Sequence, residues 1–367
     1  MKYKQISFYA YRDNRGATGG PGGVLYLQQK YLGCLYNGVK LRYVFRTRSK
    51  WFRKRFEKFF VGAVFQVLMK ETFRRKNYYI VNEIASAYAL ALLHKPYSLI
   101  FHNQGPIMEE KTNFGEIITK SQRWWLNHME RTAFKNAKSV HFPAKGAENM
   151  YFNSPFRTCS RDEVVVGTVL PNTVDVDPTA SIGHNKALTF MSVGTLTAAK
   201  GQDQSIAFIK QLLNVYKKPI KYIVAGVGPL AKQLLAEYNE LKQNNPLFDF
   251  EYHASLPHDE VLRYMQRADI YIMLHRISIF DMATLEAMAM SCAIILSNVG
   301  GNADFNVEDN VLIVDCNNYA DAVDKFKNLD IEKLKKQNKR IFEEYFSPAN
   351  FKKVYLNLLQ HIISTQG

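Results

Sequence analysis

The chain has 367 residues, too many for one ordinary hydrophobic core and enough for two. Its 47% hydrophobic and 22% charged residues exclude a disordered chain, and its four scattered cysteines (Cys34, Cys159, Cys292, Cys316) exclude a disulfide framework and a zinc knuckle and suit a reducing compartment. The net charge of +15 is uneven, because residues 42–76 hold twelve Lys/Arg against two Glu, or ten of the surplus charges.

In chain order, the first nine residues lack the apolar core of a signal peptide and read as the approach to a strand over Gln5–Ala10. Gly16-Ala-Thr-Gly-Gly-Pro-Gly-Gly23 follows, then a helix opening near Val24. Five glycines in eight residues let backbone N–H groups approach a ligand, and a helix N-terminus favours an anion. A merely flexible loop fits the same residues, and neither a Walker loop nor a strict G-x-G-x-x-G is present. In the basic stretch 42–76, Trp51, Phe52, Phe56, Phe59 and Phe60 interleave with the cations. Such a stretch suits an anionic membrane surface. A solvated helix face is the plain alternative, and nucleic acid the least favoured partner. Phe59–Met69, the longest apolar run of this half, is too short to span a bilayer. The expectation is a cytoplasmic protein with no transmembrane helix, peripheral at the inner face of the cell membrane through residues 42–76.

Further strands are expected at Arg42–Arg46, Tyr78–Val81, Tyr97–His102 and Ser139–Phe142, with helices between them such as Ser121–Asn136. The stretch Asn153–Asn185, rich in Ser, Pro, Thr and Asp, reads as a linker. The pattern then restarts, with strands at Leu188–Val193, Lys221–Ala225, Phe248–Tyr252, Ile270–Leu274, Ala293–Ser297 and Val311–Val314. Helices open near Gly201, Pro229, His258, Asp281 and Asn318. Alternating strands and helices predict α/β architecture, with two Rossmann-like, doubly wound parallel sheets. The expected domains are 1–170 and 171–345, with a C-terminal helix over 346–367 packing back on the first. Ligands in such sheets bind beyond the carboxyl ends of the strands, so the cleft-facing loops are the place to look.

His102 ends a strand, where it could bond a sugar hydroxyl or simply cap the strand; no second metal-type ligand stands at the right spacing. Gly194-Thr195-Leu-Thr-Ala-Ala-Lys200-Gly201 links a strand to a helix and puts Lys200 near a helix N-terminus, a phosphate setting or an ordinary surface position. Ala225-Gly226-Val-Gly-Pro229 makes a similar tight turn. The most informative segment is His275–Asp304. Its helix Asp281-Met282-Ala-Thr-Leu-Glu286-Ala-Met-Ala-Met290 is apolar on nearly every face and should be buried. A carboxylate there is costly without donors. Glu286 therefore suits ligand hydroxyls such as a ribose diol, or else an internal Arg or amide. The first amides of the helix suit a diphosphate. Gly300 and Gly301 again allow close backbone approach, and Asp304 reads equally as a cap or a sugar ligand.

These segments resemble the retaining glycosyltransferases of family four (glycosyl transferases group 1), which have the GT-B fold. Ser278-Ile-Phe280-Asp281-Met282-Ala-Thr-Leu-Glu286-Ala-Met-Ala-Met-Ser-Cys-Ala-Ile-Ile, followed by Gly300-Gly301, resembles that family's E-x-F-G-x-x-x-L-E-A-M-A signature. Gly16–Gly23, His102, Glu130–Ala144, Leu170-Pro-Asn-Thr-Val-Asp175 and Val193–Gly201 fit collinearly. The resemblance implies that Glu286 binds a ribose, that Lys200 and the amides near Asp281 bind the diphosphate, and that His102 sits by the reacting sugar. It implies a donor pocket lined by Gly19, Gly20, Gly194, Thr195, Gly226, Ser278, Phe280, Asp281, Met282, Gly300 and Gly301. Ser278 stands where the family has its first acid, and Thr195 where it has an Arg, so Arg276 is the expected substitute cation.

The function so implied is a retaining, metal-independent hexosyltransferase. It moves sugar from a nucleoside-diphosphate sugar to a glycan or lipid-linked acceptor in bacterial cell-surface polysaccharide synthesis, such as lipopolysaccharide or capsule. No metal or other cofactor is expected. Asp175-Val-Asp177 matches a metal-binding D-x-D but lies in the linker and reads as structural. Two alternatives stand beside it: a GT-B nucleotide-sugar epimerase, and a non-catalytic glycosyltransferase-like binding subunit. A dinucleotide oxidoreductase lacks its glycine fingerprint.

Overall fold

The computed structural model describes residues 3–11, 21–46, 60–113, 115–176 and 187–365. Gly16, Gly19 and Gly20, the aromatic-basic residues 47–59 and most of the linker lie outside them. The chain divides into two compact units, one of residues 1–175 with 348–367, the other of 176–347.

The first unit begins β1 (Gln5–Tyr11), α1 (Pro21–Leu32), β2 (Leu35–Tyr36), β3 (Val39–Arg46), α2 (Val61–Glu71) and β4 (Asn77–Val81). It continues with α3 (Ile84–Leu92), β5 (Tyr97–Ile100), α4 (Ile107–Asn113), α5 (Lys120–Lys135), β6 (Ser139–His141) and α6 (Lys145–Asn153). The sheet order is β2-β3-β1-β4-β5-β6, parallel except for the short β2–β3 hairpin that periodicity did not reveal. Strands such as β4 are buried along their whole length, because helices cover both faces of a parallel sheet. Thr119 and Gln122 form a reciprocal capping box that starts α5, worth about 1 kcal/mol.

The second unit holds β7 (Leu188–Val193), α7 (Gln202–Tyr216), β8 (Ile220–Ala225), α8 (Ala231–Asn244), β9 (Phe248–His253) and α9 (His258–Arg267). Then come β10 (Ile270–Met273), α10 (Met282–Ala289), β11 (Ala293–Ser297), β12 (Val311–Val314), α11 (Ala320–Lys327) and α12 (Ile331–Ile341). Its sheet is parallel throughout, in the order β12-β11-β10-β7-β8-β9. The chain leaves β7 toward β8 and β9, then returns to β10 on the other side. The seam between β7 and β10 is therefore the topological switch point of a doubly wound sheet.

The last helix, α13 (Pro348–Ser364), belongs to the first unit. Phe351, Tyr355, Leu358, Leu359 and Ile362 form one apolar stripe of it and join Val24, Leu25, Leu32 and Ile6 in a core cluster. Burying each such side chain contributes roughly 2 kcal/mol.

Candidate functional site at the switch point of the second sheet

Two loops meet over the seam between β7 and β10. The loop after β7 ends at Gly201, whose φ of +71° starts α7 from a left-handed turn. A side chain at Gly201 would run into the Leu274 carbonyl oxygen, so only glycine lets α7 press onto the end of β10. That approach carries Lys200 across the seam. Its Nζ lies 2.8 Å from Asp281 Oδ1 and 3.4 Å from His275 Nε2.

Asp281 is the cap of α10. Its Oδ2 accepts from the Thr284 amide at 3.1 Å, the Thr284 hydroxyl at 3.0 Å and the Tyr271 hydroxyl at 3.2 Å. Burial would raise this carboxyl's pKa, but Lys200 and His275 outweigh burial and hold it well below the usual carboxylate value. Burial lowers the pKa of His275, against the neighbouring Asp281 carboxylate, which raises it. His275 Nδ1 lies 3.4 Å from Asn302 Nδ2, and Ser297 Oγ donates to the His275 carbonyl. The end of β11 is thereby tied to the same cluster.

Glu286 lies one turn further along α10, with its side chain 14% exposed. Sequence reasoning left it waiting for ligand hydroxyls, an Arg or an amide; its Oε1 instead meets His258 Nε2 at 2.8 Å. The hydrogen bond to Glu286 raises the pKa of His258. Nothing local marks His258 as this partner, since it is simply the first residue of α9 after Pro257.

Three expected donor contacts have other uses. Arg276 forks onto Asp203, with N–O distances of 2.8 and 2.6 Å, and also donates to the Ala198 carbonyl. Its charge is paired within the fold, as that of Lys200 is with Asp281. Phe280 is 7% exposed and stacks on Phe305 at 4.5 Å, with Phe346 at 5.7 Å, so it belongs to the core. At Gly226, φ is +145° and a side chain would strike the Gly194 carbonyl. Its glycine serves backbone packing between the loops after β7 and β8. Thr195 is exposed, Met282 is half-buried at the first position of α10, and Ser278 is buried, its carbonyl accepting from the Gly301 amide at 3.0 Å. Gly300 and Gly301 open a 3₁₀ turn over Gly300–Phe305. A cavity of about 710 Å³ lies at the carboxyl ends of β10, β11 and β12 and is lined in part by His275, Arg276, Ser297 and Asn298.

His102 belongs to the first unit, just past β5. Asn82 Nδ2 donates to the Tyr9 carbonyl and to Gln28, so its Oδ1 accepts from His102 Nε2 at 3.2 Å. Burial pushes the His102 pKa down to about 4. The neutral ring therefore carries its proton on Nε2 and has Nδ1 as an acceptor. Asp175, of the D-x-D triplet, is held by Lys30 and by the Tyr31 hydroxyl at 2.6 Å. Asp177 lies outside the described residues, among which no cluster of three potential metal ligands occurs.

Residues 179–344 match the family model of Glycosyl transferases group 1. Over 155 residues the chain is 28% identical to the phosphatidylinositol N-acetylglucosaminyltransferase gpi3 subunit of Schizosaccharomyces pombe. That match spans 39% of this chain and 33% of the relative, about a third of its length. Among solved structures, sucrose-phosphate synthase from Thermosynechococcus elongatus is similar at TM-score 0.69 and 15% identity, covering 99% of this chain and 100% of that one. Anabaena HepE in complex with UDP is similar at TM-score 0.64 and 12% identity, covering 97% and 99%. The α,α-trehalose 6-phosphate synthase of Burkholderia multivorans is similar at 0.66 and 12%, covering 99% and 97%. The fold is GT-B. The stretch that matches the Glycosyl transferases group 1 model falls within its second unit.

Proposed function

We propose that the second unit binds a nucleoside-diphosphate sugar over the β7–β10 seam and that the enzyme transfers the sugar, with retention and without a metal, to a glycan or lipid-linked acceptor. The observation that carries this reading is the meeting of Lys200 with Asp281 at 2.8 Å across the switch point, one helical turn before Glu286. Leaving-group departure puts charge on the diphosphate, and a fixed ammonium beside a helix N-terminus stabilises it without reorganisation. Asp281 holds the Lys200 ammonium in place along the seam. Glu286, held as an acceptor by His258, receives the ribose hydroxyls. Neutral His102 accepts a sugar hydroxyl. UDP is the first nucleotide to test, because it occupies the similar Anabaena protein. The match to an N-acetylglucosaminyltransferase subunit makes an N-acetylhexosamine the first donor sugar. Bacterial cell-surface polysaccharide is the proposed product, and a basic chain with a cation-rich N-terminal half suits an acceptor carried at a membrane face.

The test is thermal unfolding of the full chain with nucleoside diphosphates and their sugars, in the presence of a chelator. A ligand at a hundredfold its Kd adds about 2.7 kcal/mol and a clear shift in midpoint. The absence of a shift with every nucleoside diphosphate would overturn the reading. Transfer activity that depends on a divalent ion would overturn the mechanism and leave the site.

A further inference from the structure

The first unit has a second concentration of charge, at the opposite end of its sheet from His102. The turns that lead into β4, β5 and β6 line a cavity of about 650 Å³ at the amino ends of those strands. Arg74, Arg75, Lys76, Lys95 and Lys138 all line it, and among the described residues no carboxylate does. Arg74 shares buried Glu71, its Nε 3.4 Å from the carboxylate. Lys95 donates to the Arg74 carbonyl at 2.7 Å and the Thr72 carbonyl at 3.4 Å, which fixes the turn, and it pairs with no carboxylate among the described residues. Arg75, Lys76 and Lys138 form no ion pair with a described carboxylate. Asn77, 8% exposed, also lines the cavity. Cations gathered without counter-charges among the described residues repel one another. An oxyanion relieves that repulsion.

The ground beside the cavity is apolar. Val61, Phe65, Met69 and Phe73 stand four residues apart along α2 and the turn after it, with exposures of 38%, 53%, 65% and 90%. The line ends at Phe73, next to Arg74. Aliphatic and aromatic side chains exposed beside phosphate-binding cations match the boundary between acyl chains and headgroups in a bilayer. A nucleic acid offers nothing to Met69 or Val61.

We propose that the first unit docks on an anionic lipid bilayer, with a headgroup phosphate in the Arg74–Lys76, Lys95 and Lys138 cavity and Phe65, Met69 and Phe73 in the interface. This surface is independent of the donor site. The test is co-sedimentation of the full chain with phosphatidylcholine vesicles, with and without phosphatidylglycerol. Partition is expected only with the anionic lipid, weakening as salt rises. Arg75→Glu with Lys138→Glu should lower the partition constant at least twenty-five-fold, about fivefold for each cation lost. Met69→Ser with Phe73→Ser should lower it about tenfold while retaining the salt dependence. All four side chains are exposed, and wild-type circular dichroism with an unchanged unfolding midpoint shows that each variant is folded. Failure to partition into anionic vesicles overturns the proposal. So does stabilisation by inorganic phosphate without vesicle binding, which marks a free-phosphate site. Partition that survives both pairs of substitutions overturns the location.

Discussion

The two units share a six-stranded doubly wound sheet and use charge in opposite ways. At the carboxyl ends of the second sheet, Lys200 sits on Asp281 and Arg276 on Asp203. At the amino ends of the first, Arg75, Lys76, Lys95 and Lys138 face a cavity with no described carboxylate. Paired cations give fixed geometry over a few ångströms, which is what an aligned leaving group needs. Unpaired cations give a long-range, salt-sensitive field, which is what attraction to a charged surface needs. The buried carboxylates differ in the same sense. Asp281 has a cation and is held strongly acidic. Glu130 is fully buried and, among the described residues, accepts from neutral donors: the Ile107 amide at 2.7 Å, Thr158 at 2.7 Å and Tyr151 at 3.1 Å. Burial wins there and raises its pKa to about 7. Burial thus predicts little about ionisation until the partner is known.

The largest effect that would sharpen this contrast is expected from Lys200→Ala. Loss of the Lys200 ammonium at the seam should lower kcat by roughly a hundredfold or more. It also strands Asp281, and equilibrium unfolding should show a loss of about 3 kcal/mol. Near-normal kcat would break the idea that paired charge serves the reaction. Glu286→Gln should follow, weakening nucleoside diphosphate binding by about tenfold to a hundredfold in calorimetry, because a charged acceptor is replaced by a neutral one.

Glu130 gives a pH test in the first unit. Its folded pKa lies above the ordinary value, so folding takes up a proton. Its contribution is fully present below the unfolded pKa of about 4.5 and is lost as pH rises through about 7. Unfolding midpoints should therefore fall between about pH 5 and pH 8, by a term on the order of 3 kcal/mol, and Glu130→Gln should flatten the profile. An unchanged profile would mean that the neutral donors hold Glu130 as well as Lys200 holds Asp281. Arg276→Ala should do least: less than threefold in nucleotide Kd and about 1 kcal/mol in stability, because its partner Asp203 is itself half-exposed. A tenfold loss of affinity would show that Arg276 leaves Asp203 to serve the donor.

Much of the fold was legible in the sequence. Parallel strands buried on both faces read as apolar runs, and glycine, proline and acidic caps punctuate them. The restart of the pattern after residue 185 separated two sheets. The two-residue β2 lacks the length to show a period, and His102 stands just past the end of β5, since pairing stops at Ile100. Candidate site residues were found where chemistry is unusual for its place, as with a glutamate on an apolar helix. Their partners were not. Asp203 and Arg276, or His258 and Glu286, are far apart in the chain, and nothing local records which charges will meet. Phe280 was misplaced for the same reason: a family position put it in the donor pocket, and its packing on Phe305 and Phe346 puts it in the core.

By itself, then, the sequence determined what local chemistry determines: element type, the division into two doubly wound units, the glycosyltransferase signature between His275 and Asp304, and the surplus of positive charge. Tertiary structure alone decided which of those charges are spent. The Lys200–Asp281 pair exists because Gly201 lets α7 close onto β10, and the open cluster in the first unit exists because three separate turns bring cations, and no described carboxylate, to one end of a sheet. Electrostatic energy depends on distances between residues remote in the chain, and only the fold sets those distances.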